Sequence, residues 1–202
     1  MDLLLFSGFL GSGKTTLILA LARELAAQGR RTAFVVNEVG EVGVDQAVLR
    51  DDGLMVYEIT AGCICCQLGT DLVKTLKLLV EQEHPQTVIV EASGVATPSG
   101  VQDALTYYHG PAFASTRSIG VLDPTRLEAL LDVMTPLVES QVADVDELVI
   151  TKVDEATEEE LALALQVVER LNSDAPARLV SALDAAALQG LARALLAPGV
   201  SQ

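Results

Sequence analysis

Short apolar or β-branched runs alternating with helical-period segments predict a three-layer α/β fold, a mostly parallel central sheet flanked by helices. Leu3-Leu4-Leu5-Phe6 and Thr87-Val88-Ile89-Val90 are too short for helices and read as strands covered on both faces. Glycine-rich or acidic clusters follow several of these runs, where the carboxyl ends of strands in an open α/β sheet bind ligands.

The elements follow in order. After the first strand, Leu17, Ile18, Leu21 and Leu25 recur at helical spacing. Residues 31–37 (R-T-A-F-V-V-N) read as a second buried strand, followed by a glycine-punctuated acidic loop over 38–45. Residues 54–59 form a strand that feeds into Gly62-Cys63-Ile64-Cys65-Cys66. A helix is expected from about Gln67 to Glu81 with Leu72, Leu76, Leu79 and Val80 inward. The strand at 87–90 ends in Glu91-Ala92-Ser93-Gly94, and Thr97-Pro98 reads as N-cap and first helical position. A strand over 118–122 stops at Asp123-Pro124, and another over 147–150 ends at Thr151-Lys152-Val153-Asp154. Thr157 and Glu160 make a capping box for the next helix. The last strand, 178–180, ends in Ser181-Ala182-Leu183 before a closing helix to about Leu196.

The 202 residues suit one domain over 1–202, with half the residues apolar, and no charge-free stretch long enough for a membrane span. A formal net charge of −15 argues against nucleic acid or an anionic membrane as partner. All three cysteines fall within four residues, which is no disulfide framework and points to a reducing, cytoplasmic setting.

Gly8-Phe9-Leu10-Gly11-Ser12-Gly13-Lys14-Thr15 is a complete G-x-x-x-x-G-K-[ST] phosphate loop between strand and helix. Its glycines let backbone N–H groups of Gly11, Ser12 and Gly13 converge on phosphate oxygens. Lys14 is expected at the β- and γ-phosphates, Thr15 on Mg²⁺ and Thr16 at the α-phosphate. Thr151-Lys152-Val153-Asp154 resembles the guanine-reading Asn/Thr-Lys-x-Asp motif of GTPases. Asp154 would accept from N1–H and the 2-amino group of guanine, donors that adenine lacks. Lys152 would lie along the base, and Ser181-Ala182-Leu183 resembles the second base-contacting loop, so GTP is expected over ATP.

Phosphoryl transfer also needs acids to complete the Mg²⁺ shell and position water, and Glu38, Glu41, Asp45 and Glu91 are the candidates. Cys63, Cys65 and Cys66 form a soft trio suited to Zn²⁺, Co²⁺, Cu⁺ or Ni²⁺, provided the chain turns at Cys65-Cys66. Three ligands leave a tetrahedral site open, which suits a transferable ion. His84 and His109 read as structural, with His109 the better outside candidate for a ligand.

The signatures G-F-L-G-S-G-K-T-T, V-N-E-V-G-E-V-G-V-D, G-C-I-C-C, E-A-S-G, T-K-V-D and S-A-L together resemble the CobW-type branch of the CobW/HypB/UreG metallochaperone GTPases. They run from residue 8 to 183, nearly the entire chain. The resemblance implies a P-loop GTPase that hydrolyses GTP slowly and couples nucleotide state to binding and delivery of zinc or cobalt to a client metalloprotein. It also implies that Cys63, Cys65 and Cys66 hold the cargo, and that Lys14, Thr15, Glu38 and Glu91 serve phosphate and Mg²⁺. The further C-terminal domain typical of such proteins is not expected here, so the domain would act as a homodimer or with a separate partner. The alternatives are an interaction switch that protects or reloads a corrinoid or other metalloenzyme without carrying cargo, and an ATP-preferring small-molecule kinase.

Overall fold

The computed structural model describes residues 1–36, 55–58 and 68–196. Its sheet is built from β1 (Asp2–Ser7), β2 (Thr32–Val36), β3 (Met55–Glu58), β4 (Thr87–Glu91), β5 (Ser115–Leu122), β6 (Glu147–Ile150) and β7 (Ala177–Leu179). The spatial order is β3-β2-β4-β1-β5-β6-β7, and every pairing is parallel. The helices among the described residues are α1 (Lys14–Ala27), α2 (Leu68–Glu83), α3 (Pro98–Leu105), α4 (Pro124–Ala143), α5 (Glu158–Asn172) and α6 (Ala185–Leu196).

Strand alternation sends side chains to two faces. From β1, Leu4 and Phe6 join Leu17, Ile18, Leu21 and Leu25 of α1 and Leu191 and Leu195 of α6. Leu3 and Leu5 point the other way, against Leu72, Leu76, Leu79 and Val80 of α2. Farther along that second face, α4 and α5 pack through Leu127, Val138, Val142, Val167 and Val168 onto Leu148 and Ile150. A fully buried leucine contributes about 1.5–3 kcal/mol. The central strands are apolar on both sides because both sides are covered.

The order puts β1 between β4 and β5, whereas the chain leaves β1 through α1 to β2, on the far side of β4. Outside the carboxyl ends of β1 and β4 there is accordingly a crevice where the connections diverge. Glu91 lies opposite Phe6 in the β1–β4 register, so the ends of both strands open onto it.

Most sequence boundaries agree within a few residues. The strand expected at 118–122 begins at Ser115, and the helix expected to end at Glu81 runs to Glu83. Among the described elements, one goes unread in the sequence, the 20-residue α4 after Asp123-Pro124. Asp123 caps it, Oδ1 accepting from Thr125 N at 3.0 Å and from Thr125 Oγ1 at 2.7 Å, with Pro124 in the first turn. Met134 leaves helical geometry (φ −139°, ψ 35°) just before Pro136, and that kink breaks the apolar period. The expected capping box of α5 is present in both directions, Thr157 N to Glu160 Oε2 at 2.8 Å and Glu160 N to Thr157 Oγ1 at 3.2 Å.

At the opposite end of the sheet, Asp2 accepts from Arg30 at 2.6 Å and from Ser115 Oγ at 2.8 Å. Burial pushes its carboxyl up, but the Ser115 and Arg30 hydrogen bonds and the Arg30 charge outweigh it, leaving Asp2 below the ordinary value of 3.8. A folded-state value below the unfolded one adds stability that is complete above the unfolded value and disappears as pH falls through the folded one. Asp2→Asn should lower the urea midpoint at neutral pH and flatten its decline below pH ~4. Parallel acid profiles for the two proteins would remove Asp2 from the account.

Candidate functional site

Immediately after β1 the chain turns sharply. Gly8 has φ +146°, and a Cβ there would lie 2.3 Å from Val121 O, so only glycine fits between the loop and β5. Phe9 is buried in the cluster formed by α4 and α5, which anchors the loop. Ser12 N closes onto Phe9 O at 3.1 Å, and α1 starts with Gly13 as its cap (φ 88°) and no capping side chain. Backbone N–H groups at this helix start face the crevice end of the sheet, an arrangement suited to an anion. Lys14, 4% exposed, folds back over the loop and donates to Gly8 O at 2.8 Å and Phe9 O at 3.0 Å. Thr16 is exposed on the first turn of α1.

Across the crevice, Thr15 Oγ1 donates to Glu91 Oε1 at 2.8 Å. Glu91 is 2% exposed, and Ala92 N donates to Phe6 O at 2.8 Å, which ties the end of β4 to β1. A hydroxyl and a carboxylate oxygen meeting beside a phosphate loop are hard donors, and the pair fits Mg²⁺, which takes one or two carboxylates together with substrate phosphates. Glu38, Glu41, Asp45, Cys63, Cys65 and Cys66 lie outside the described residues.

The 151–154 segment follows β6. Thr151 is buried, and its hydroxyl reaches Ser12 O at 2.6 Å, with Leu122 O a second acceptor at 3.2 Å. The residue standing where asparagine is commoner therefore ties the expected base loop directly to the phosphate loop. Lys152 adopts a left-handed conformation (φ 53°), and its Nζ lies 2.7 Å from Asp123 Oδ2. Asp154 is exposed on the turn closed by Glu155 N and Ala156 N onto Lys152 O. Because β6 and β7 pair in register, the 181–183 turn emerges beside it. Ser181 Oγ accepts from Leu183 N at 3.1 Å, while Ala182 and Leu183 are exposed.

The structure thus brings Gly11, Ser12, Gly13, Lys14, Thr15, Glu91, Thr151, Lys152, Asp154 and Ser181 to the carboxyl end of the parallel sheet. Sequence reasoning missed Asp123, read only as a strand stop, and Arg126, which donates from Nη1 to Leu10 O at 2.8 Å. His84 sits just past α2 with φ 47°, a left-handed C-terminal position that accounts for it structurally. Among the described residues no cluster of three or more His, Cys, Asp or Glu is placed to hold a metal. No helix among them is long and apolar enough to cross a membrane.

A strand, glycine-rich turn and helix with a buried lysine, and a Thr–Lys–x–Asp turn two strands away, define a P-loop nucleotide-binding protein. The CobW/HypB/UreG nucleotide-binding domain model matches residues 2–178, and the chain belongs to this family. Within it, the curated relatives place the chain with the CobW-like branch. It is 36% identical over 156 residues to the zinc chaperone YeiR of Escherichia coli K12, covering 77% of this chain and 47% of the relative. It is 41% identical over 99 residues to the zinc chaperone CobW of a Sinorhizobium species, covering 46% and 27%. The chain spans between 24% and 59% of the curated relatives it matches. In fold it resembles nickel-complexed HypB from Helicobacter pylori (TM-score 0.68, 22% identity, 96% of this chain and 85% of that one). It likewise resembles Zn(II)-bound YjiA GTPase from E. coli (TM-score 0.61, 24% identity, 89% and 57%).

Thr151→Val preserves shape but strands the buried Ser12 carbonyl. It should lower stability by about 1–3 kcal/mol in urea titrations and weaken di- and triphosphate binding alike. Unchanged unfolding and affinity would show that this tie contributes nothing.

Proposed function

We propose that this chain is the nucleotide-binding part of a GTP-hydrolysing metallochaperone of the CobW type, which couples nucleotide state to holding and handing over a thiophilic divalent ion. The observation that carries the reading is the Thr15–Glu91 contact at 2.8 Å beside a phosphate loop that Thr151 joins to the base loop. Backbone N–H groups from Gly11 to Gly13, with Lys14, bind the phosphates, and Thr15 and Glu91 hold Mg²⁺. When bound, Mg²⁺ neutralises charge on the β- and γ-phosphate oxygens. Asp154 reads guanine, with Lys152 along the base and the 181–183 turn at its far edge. Glu38 is a further acid for the magnesium or the attacking water.

Cys63, Cys65 and Cys66 hold the cargo as thiolates. Zinc is favoured as cargo because the relatives are named zinc chaperones, with cobalt next. A client metalloprotein is the natural recipient; one relative, from Dictyostelium discoideum, is named a zinc-regulated GTPase metalloprotein activator.

Two measurements test this. Zinc titrated anaerobically with a non-hydrolysable GTP analogue and with GDP should give clearly different affinities; equal affinities remove the coupling. Asp154→Asn should lose GTP and gain xanthosine triphosphate, since the amide donates where the carboxylate accepted. A variant that keeps the original preference would place the base elsewhere.

A further inference from the structure

Among the described residues, three cations stand around the phosphate loop, and they are not equivalent. Lys14 is drawn in over Gly8 O and Phe9 O, and Lys152 is balanced by the buried Asp123. Arg126 is different. It is exposed on the first turn of α4, where the Asp123 cap and Pro124 fix the backbone so that its side chain runs back to the crest of the phosphate loop. Nη1 donates to Leu10 O at 2.8 Å, and no carboxylate among the described residues pairs with the guanidinium.

The contact needs room. A Cβ at Gly11 would sit 2.9 Å from Arg126 Nη1, so the absent side chain at Gly11 (φ +77°) lets the guanidinium settle on the loop. Leu10 and Gly11 lie within the segment whose N–H groups would face the phosphates. A single neutral carbonyl is a weaker partner for a guanidinium than a phosphate group, which carries its own negative charge and accepts two parallel N–H bonds. Four further N–H donors of a planar fork are available for bidentate contact. In a chain of net charge −15, an exposed cation at this mouth is also the group an incoming triphosphate meets.

Resting on the GTPase reading above, we propose that Arg126 is a catalytic arginine supplied within the chain. When GTP seats, its guanidinium exchanges Leu10 O for oxygens of the terminal phosphates. In the reaction, water oxygen forms a bond to the γ-phosphorus as the bond from that phosphorus to the β–γ bridging oxygen breaks. The electron pair goes to the bridging oxygen of GDP, and the proton of the attacking water ends on inorganic phosphate. Arg126 neutralises charge on the leaving oxygen as it develops, and Leu10 O is its resting place.

The test compares the unsubstituted chain with R126A and R126K in single-turnover GTP hydrolysis, together with affinities for GDP and for GDP–aluminium fluoride with Mg²⁺. R126A should lower the hydrolysis rate by about 10³-fold, in line with arginines acting in cis or in trans. GDP affinity should stay nearly unchanged, while tight binding of GDP–aluminium fluoride is lost. R126K keeps the charge and a donor for Leu10 O, so it should fold as the parent does and still lose most of the rate. Hydrolysis at the parental rate in either variant overturns the proposal. So does a parallel loss of GDP and GDP–aluminium fluoride affinity, which would mark Arg126 as a brace for the loop alone. Failure of the unsubstituted chain to hydrolyse GTP would sink the GTPase reading itself, a separate and recognisable outcome.

Discussion

A hydroxyl from the first turn of α1 and a carboxylate from the end of β4 meet at 2.8 Å, and the rest of the nucleotide face is organised around that meeting. It requires β1 and β4 to be parallel neighbours with Phe6 opposite Glu91. It requires Gly8 to pass within reach of Val121 O so that the chain can turn before α1 begins. A slip of one residue in the β1–β4 pairing would turn Glu91 to the other face. That register is secured by buried side chains on both faces of β1, Leu3 and Leu5 on one and Leu4 and Phe6 on the other.

The crevice is cross-braced by contacts that span long stretches of chain. Thr151 reaches Ser12 O, Arg126 reaches Leu10 O, and Gln141 Nε2 reaches Gly94 O at 3.2 Å. Each joins an element of the β5–β6 half of the sheet to a loop at the end of β1 or β4. The 151–154 turn and the phosphate loop are therefore not independent bodies, since the Thr151 hydroxyl joins them through the Ser12 carbonyl.

Local features were legible in the sequence because their causes are local. The phosphate loop, the Thr157–Glu160 capping box and the Thr97 cap are set by residues a few positions apart, and all are present. The leucines of α1 and α2 expected to face inward are buried, as helical periodicity dictates. What could not be read came from two sources. In α4 the kink at Met134 and Pro136 at position 136 interrupt the period that would announce a long helix. Asp123–Lys152 and Arg126–Leu10 join residues 29 and 116 positions apart, partners selected by strand order rather than by spacing. The acids of the 38–45 loop and the thiolate trio rest on the sequence, since they lie outside the described residues.

The most direct measurement is the Mg²⁺ dependence of binding of a slowly hydrolysed GTP analogue, by calorimetry, to the unsubstituted chain and to Glu91→Gln. If Thr15 and Glu91 form the magnesium site, Mg²⁺ should strengthen analogue binding to the parent by about tenfold or more, ~1.4 kcal/mol, and much less in the variant. Equal Mg²⁺ dependence in the two proteins would contradict the account at its centre.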